Sequence, residues 1–498
     1  RRRLAACAHP LSGPGASVNP RVVARLTSRL LALVAALMLA PVAIAWLDGD
    51  ERAGIAYATT AAITVLAAGL LAMVGRGSGA GLHRKDALGT VALIWLLLGV
   101  FGGLPFMLEG AIVDPASAVF EAVSGFTTTG ATVVADVGAL SRATNLWRCL
   151  SHWIGGMGII VLFVAVFPQL GVGARHLFRN EVAGPTSGAL RPRIKQTALA
   201  LWWIYGGLTL LCGLCLMAAG MDVYDALCHA LSTLGTGGFS TRTASLGHWE
   251  SAAIHWITAA FMLIAGLNFG LFYEVVRGRP GALLGNYEVR FYLLVNAFVA
   301  AVVLVGIAGR HPDLGTAARH AVFQTLAVTT TTGFMTEDFD KYPDIARYLL
   351  FLAMFMGGCA GSTAGGLKVS RVYAIIAMCG RELRTMVQPR AVVAVRLGRH
   401  VVPETVLRGI LVFVVAYFGL FALASAFMVM QGLDLLTAMS ATVACLSSIG
   451  PGLAGVGPSQ NYAFVPPAAK LVLSLCMIAG RLEIFVLLSI LSPEAWRR

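Results

Sequence analysis

Ser124–Thr132 reads SGFTTTGAT, and three later stretches share its character: STLGTGGFST at Ser232–Thr241, VTTTTGFMT at Val328–Thr336 and LSSIGPG at Leu446–Gly452. Each is a hydroxyl-rich run that reaches a glycine: Gly130, Gly235, Gly333 and Gly450. Successive glycines stand roughly 100 residues apart, the spacing of a unit repeated along the chain. Each stretch lies between two long apolar segments. This pattern suits four extended loops whose carbonyls face one axis and replace the water shell of an ion.

The residue types fit that chemistry. A cation leaving water needs several oxygens at close range, and uncharged carbonyls supply them without trapping it. Turning carbonyls inward demands backbone angles that glycine accepts for want of a Cβ. Threonine and serine add hydroxyl acceptors and tie a loop to nearby backbone. A single TTTG fits equally well with small-residue packing between membrane helices; four copies in one setting favour the ion path. The expected filter is Thr128, Thr129, Gly130 and Ala131; Thr233, Leu234, Gly235 and Thr236; Thr331, Thr332, Gly333 and Phe334; and Ser448, Ile449, Gly450 and Pro451.

Composition sets the class. The chain has 498 residues, 57% hydrophobic and 12% charged, with mean hydropathy +0.78. Soluble domains carry about 25% charged residues. Apolar runs of about 20 residues specify an all-α integral membrane protein. Net charge is +13, but the basic residues sit in a few loops, which fits the positive-inside rule rather than nucleic acid. Cys212 and Cys215 have CxxC spacing within an apolar span and read as packing residues. No cleavage pattern follows the basic start.

A two-helix hairpin, Leu31–Trp46 and Gly54–Met73, is expected within residues 1–86. Four tandem helix–pore-loop–helix units around one pore are expected to follow, over 87–196, 197–286, 287–400 and 401–498. Their spans are read at Ala87–Leu108 and Trp147–Leu170; Thr197–Gly220 and Trp249–Val276; Val289–Ala308 and Ile345–Met378; and Val402–Met430 and Phe464–Leu491. Between each pair lies a segment too short to cross about 30 Å of hydrocarbon: Asp114–Phe126, Asp222–Leu234, Thr316–Thr330 and Leu433–Ser447. Asp114-Pro115, Asp222 and Asp434 suit helix starts. Each half-helix then aims the negative end of its dipole at its own loop. Non-helical backbone at that depth is tolerated where it lines water. The basic loops, including Arg175, Arg179, Arg191, Arg193 and Lys195, then Arg277 and Arg279, then Arg371 to Arg408, all fall on one side. That side is the cytoplasm, which places both termini there and the filter near the outer face.

These residues resemble the Trk/Ktr/HKT superfamily of potassium transporters, in particular its bacterial TrkH/TrkG branch. The resemblance runs nearly end to end. It is carried by the four loops, WIGGMGIIVL at Trp153–Leu162, GPTSGALRPRI at Gly184–Ile194, GGCAGSTAGGLKVSR at Gly357–Arg371 and AGRLEIF at Ala479–Phe485. It implies potassium (K+) as the bound and transported ion, a homodimer in the inner membrane, and a cytosolic nucleotide-binding regulatory subunit of TrkA type. The fourth loop departs, with Ser447-Ser448 where relatives often carry Asn.

Gly357, Gly358, Cys359, Ala360, Gly361, Ser362, Thr363, Ala364, Gly365 and Gly366 interrupt a stretch longer than one span. Five glycines each weaken a helix by about 1 kcal/mol, which favours a break over close helix packing. The resemblance implies that this loop blocks the path under the filter. Arg481 lies in an apolar span, where a charge faces a cavity or a partner; the resemblance implies a fixed positive charge by the pore, the alternative being a structural ion pair. Lys368 either joins this gate or snorkels to the inner surface.

The carboxylates Glu109, Glu121, Asp225 and Glu274 are scattered and read as caps and pairs, not a proton relay. The ten histidines show no metal-binding spacing. No phosphate-binding glycine motif occurs, so no nucleotide is expected on this chain, and no nucleophile–base constellation suggests an enzyme. Repeats of one orientation with equivalent loops favour channel-like permeation; an ion-coupled potassium symporter rocking about a midplane site is the alternative.

Overall fold

The computed structural model describes residues 18–77, 84–165, 190–398 and 400–484. Arg175, Arg179, most of the Gly184–Ile194 stretch, the side chains of Arg191, Arg193 and Lys195, and both chain termini lie outside the described residues.

The described residues are helical, with one two-residue strand pair among them, Arg396–Leu397 against His400–Val401. Helices α1 (Pro20–Leu37) and α2 (Leu39–Asp48) run on as one membrane-length segment. Gly49, at φ 70°, stops it, and Asp50 starts α3 (Glu51–Val74) by accepting from the Ala53 N–H at 2.9 Å. The acidic stretch Asp48–Glu51 is thus a helix stop followed directly by a cap.

A longer pattern then occurs four times. A long first helix comes first: α4 (Arg84–Glu109), α7 (Leu190–Ala218), α12 (Tyr287–Ile307) and α16 (Glu404–Met430). A short helix follows: α5 (Pro115–Phe126), α8 (Val223–Gly235), α13 (Leu314–Thr329) and α17 (Leu435–Leu446). Second helices return the chain: α6 (Arg142–Ala165), α9 with α10 (Ala252–Ala265, Phe269–Val276), α14 with α15 (Asp344–Ala353, Val369–Val387) and α18 (Pro467–Leu482). A single turn of helix, α11 (Gly281–Gly285), precedes α12.

All four short helices start at an aspartate. Asp114 accepts from Ser117 N at 2.9 Å, Asp222 from Tyr224 N at 3.0 Å, Asp313 from Thr316 N at 2.8 Å and Asp434 from Thr437 N at 3.0 Å. Each cap satisfies a backbone donor that the first turn leaves open. The third short helix therefore starts before the expected Thr316, because Asp313 claims its N-terminus.

Six described helices are long and apolar enough to cross a membrane, among them the first helix of every unit. The second helices differ. α9 and α10 bend by 95° across Gly266–Asn268, so the single span expected at Trp249–Val276 is broken. The break between α14 and α15 falls at the glycine-rich stretch, where the sequence placed it. Small residues bring the second helices against the short-helix ends: a Cβ on Gly155 would overlap the Phe126 carbonyl, and one on Gly480 that of Leu446.

Candidate functional site: a ring of four loops beneath four short helices

Each short helix ends in the same backbone motif. Amides return two hydrogen bonds per loop: Thr128 to Gly125 and Thr129 to Ser124; Thr236 to Thr233 and Gly237 to Ser232; Thr331 to Val328 and Thr332 to Ala327; Ser448 to Cys445 and Ile449 to Ala444. The hinge residue is left-handed in all four, with φ of 56° at Thr128, 53° at Thr236, 57° at Thr331 and 58° at Ser448. Left-handed backbone is a genuine outlier for β-branched threonine and costs about 1–3 kcal/mol at each position. Helix termination, rather than residue preference, imposes it.

Two residues on, a glycine again has positive φ: 80° at Gly130, 84° at Gly238, 73° at Gly333 and 97° at Gly450. This corrects the expected register of the second loop. Thr233, Leu234 and Gly235 belong to the last turn of α8, where the Thr233 hydroxyl bonds the His229 carbonyl at 2.6 Å. The counterparts of Thr128, Thr129, Gly130 and Ala131 are Thr236, Gly237, Gly238 and Phe239. Sequence reading missed Gly237, Gly238 and Phe239. The signal was Phe239 after a glycine, matching Phe334 after Gly333.

The four glycines close a cycle. A Cβ on Gly130 would meet the Gly237 carbonyl, on Gly238 that of Thr332, on Gly333 that of Ile449 and on Gly450 that of Thr129, each closer than 3.0 Å. Every glycine thus abuts the carbonyl just before the glycine of the next loop, in the order first, second, third, fourth, first. Any side chain at these positions displaces a neighbouring carbonyl.

The loops are braced differently. Hydroxyls pair at 2.8 Å between Thr127 and Thr129, and at 2.7 Å between Thr330 and Thr332. In the second loop the His152 ring stacks on Phe239 at 4.2 Å and its Nδ1 lies 3.0 Å from the Ser232 hydroxyl. In the fourth, Tyr417 meets the Ser447 hydroxyl at 2.6 Å and Tyr462 donates to the Gly450 carbonyl at 2.8 Å. A buried ion pair, Arg148–Glu121 at 2.8 Å, joins the first two loops: Glu121 accepts from Val133 N at 2.9 Å, and Arg148 lies 4.0 Å over the Phe239 ring. Asp225 pairs with Arg242 and Glu274 with Arg279, so these carboxylates act locally.

The glycine-rich segment lies against the ring on the side of the short-helix ends. Gly365 N donates to Thr331 Oγ1 at 2.7 Å, and a Cβ on Gly365 would overlap the Ser447 carbonyl. The same segment is laced to the break in the unit-two helix: Cys359 N bonds the Gly266 carbonyl at 2.9 Å, Phe269 N the Gly361 carbonyl at 3.1 Å, and Thr363 Oγ1 the Ala265 carbonyl at 3.2 Å. The two broken helices therefore complete each other's backbone hydrogen bonding.

Arg481 reaches this segment from α18. Its guanidinium donates to the Thr363 carbonyl at 2.6 Å and to the Gly155 carbonyl at 3.1 Å, while Glu483 pairs with Arg371 at 2.6 Å. Lys368 is half-buried beside the segment and bonds the Ala364 carbonyl. Gly357, Gly358, Ala360, Ser362 and Gly366 complete the fold of the segment, with the Ala360 amide held by Glu288 at 2.7 Å.

Several apolar membrane-length helices, with short helices and a cycle of glycine–carbonyl contacts between them, define a multi-pass membrane protein. Comparison with known proteins agrees and goes further. The model of the TrkH family, described as cation transport protein, matches residues 55–495. The chain is 40% identical to the Trk system potassium uptake protein TrkH of Halomonas elongata, over 96% of this chain and 99% of that one. It is 33% identical to the Trk system potassium uptake protein TrkG of Escherichia coli, with the same coverage. The crystal structure of the potassium transporter TrkH from Vibrio parahaemolyticus superposes with a TM-score of 0.88, at 37% identity over 96% of this chain and 99% of that one. The chain belongs to the TrkH family of cation transport proteins.

Proposed function

We propose that this protein takes up potassium across the bacterial inner membrane by channel-like permeation. Four tandem units surround one pore, and Thr128–Ala131, Thr236–Phe239, Thr331–Phe334 and Ser448–Pro451 form its filter. The observation that carries this reading is the cycle of glycine–carbonyl contacts, which holds four strands of backbone around one axis. Four short helices aim their negative ends at that axis and favour a cation there.

The segment 357–366 with Lys368 is the gate. Its bonds to Thr331 and to the unit-two break, and its tether to Arg481, support the reading of a plug fixed at three points. Arg481 adds a positive charge where water screens poorly. Both termini are placed in the cytoplasm, the protein is read as a homodimer, and control by a cytosolic nucleotide-binding subunit of TrkA type follows from the family resemblance.

The test is flux in proteoliposomes loaded with potassium, rubidium, sodium or lithium. Potassium and rubidium should move down their own gradients without an imposed proton or sodium gradient. Flux that requires such a gradient would replace this reading with an ion-coupled symporter.

A further inference from the structure

The fold assembles a cluster of ligand-type side chains beside the third loop, with no local sequence motif behind it. His311 precedes the cap Asp313, His320 lies on α13, and Glu337 follows the loop, four residues after Gly333. One ligand atom from each lies within 4.8 Å of the others. His311 Nε2 stands 3.5 Å from Glu337 Oε1. Tetrahedral zinc, with bonds of about 2.0–2.1 Å, spaces its ligands by about 3.3 Å. One edge therefore already fits, and His320 stands within reach as the third ligand.

The three groups are also oriented by neighbours. Tyr342 OH bonds Glu337 Oε1, and the Thr336 hydroxyl lies 2.9 Å from His320 Nδ1. Gln324 holds the Thr336 hydroxyl at 3.3 Å and the Glu337 carbonyl at 3.0 Å. Outer partners that fix ring and carboxylate orientation are characteristic of metal ligands. Two imidazoles and a single carboxylate suit a borderline transition-metal cation rather than potassium, calcium or magnesium, which favour oxygen ligands.

We propose that His311, His320 and Glu337 form a binding site for a divalent transition-metal ion of the zinc class. It lies on the mouth from which the short helices start, beside the third loop. Only its description as a mouth rests on the functional reading above; binding itself does not.

The experiment titrates Zn2+ into the purified, detergent-solubilised, untagged protein against a chromophoric chelator, and records the visible spectrum with Co2+. Wild type should bind one more ion per chain than the His311→Ala/His320→Asn/Glu337→Gln variant, with a tetrahedral Co2+ spectrum. The single variants His311→Ala and Glu337→Gln should each weaken binding tenfold or more. Potassium flux without added metal reports folding, and His311→Ala should keep it at the wild-type level. Equal stoichiometry and affinity in wild type and in folded Glu337→Gln would overturn the site. That result leaves the potassium reading standing, whereas non-selective flux in wild type would overturn the potassium reading and leave the site standing.

Discussion

Arg481 donates to the carbonyl of Thr363 at 2.6 Å, and so the last described helix holds the interruption in the third unit's returning helix. A hydrogen bond from a charged donor contributes about 1.5–3 kcal/mol, and each 1.4 kcal/mol corresponds to about tenfold in an equilibrium. The Arg481→Ala protein should therefore conduct potassium at least several-fold faster than wild type in liposomes without a regulatory partner. Arg481→Lys keeps the charge and reaches one carbonyl, and should fall nearer to wild type. Equal rates for the two variants would show that charge is not the barrier.

The glycine positions separate the two registers of the second loop. Gly238→Ser and Gly130→Ser both push a side chain into a neighbouring carbonyl at positive φ. Both should lower potassium-over-sodium selectivity about tenfold or more. A Cβ on Gly235 meets the His152 backbone instead, within the end of α8. Gly235→Ala should lower folded yield, and the protein that does fold should retain selectivity. Reversal potentials under mixed potassium and sodium gradients measure the difference.

Shortening the glycine-rich segment tests the gate directly. Removing residues 361–363 deletes the partners of Phe269, Ala265 and Arg481 together. Basal flux should rise, and the proposed regulatory subunit, when supplied, should change it less than in wild type. A folded deletion protein that conducts like wild type would rule the segment out as a gate.

Arg148 and Glu121 are 2% and 0% exposed, so neither charge has water to fall back on. Removing one partner of such a pair costs about 3–5 kcal/mol. Arg148→Met should lower the thermal midpoint in detergent sharply, and adding Glu121→Gln should recover part of the loss. Labelling of the buried Cys149 and Cys228 by a thiol-reactive dye on heating reads this out.

At the aspartate caps, hydrogen bonds from Thr437 hold the Asp434 carboxyl below its ordinary range, and those from Ser117 do the same for Asp114. A carboxyl lowered on folding adds stability above its unfolded value of about 4, which is lost as pH falls through the folded value. Thermal stability should thus owe nothing to these caps' titration between about pH 5 and 8, and their contribution should fade only below about pH 4. Asp434→Ala should cost about 1 kcal/mol and Asp434→Asn much less.

Much of this architecture is legible in the sequence because it rests on local rules. Asp114, Asp222 and Asp434 announce their helices, and the density of glycine between Gly357 and Gly366 announces a break. Asp313 was overlooked because Arg319 and His320 dilute the apolar pattern of the helix it caps. The break at Gly266–Asn268 was hidden by apolar neighbours on both sides; its unpaired backbone groups are satisfied by a segment nearly a hundred residues away. The second loop was misaligned because Gly235, Gly237 and Gly238 are interchangeable on paper. Only the helix-terminating hydrogen bonds of Thr236 and Gly237, together with φ, tell them apart. His311, His320 and Glu337 meet through tertiary structure alone.

The cycle that links Gly130, Gly238, Gly333 and Gly450 is drawn from one polypeptide, with threonine pairs in two quadrants and His152 and Tyr417 behind the others. On the proposed reading, an ion at its centre meets walls that are not all alike. In a channel assembled from identical subunits, any substitution arrives four times at once. Here a change is delivered to one quadrant, so a dose series from one to four altered walls can be built by ordinary mutagenesis. Selectivity plotted against dose would show whether the quadrants contribute independently or fail together.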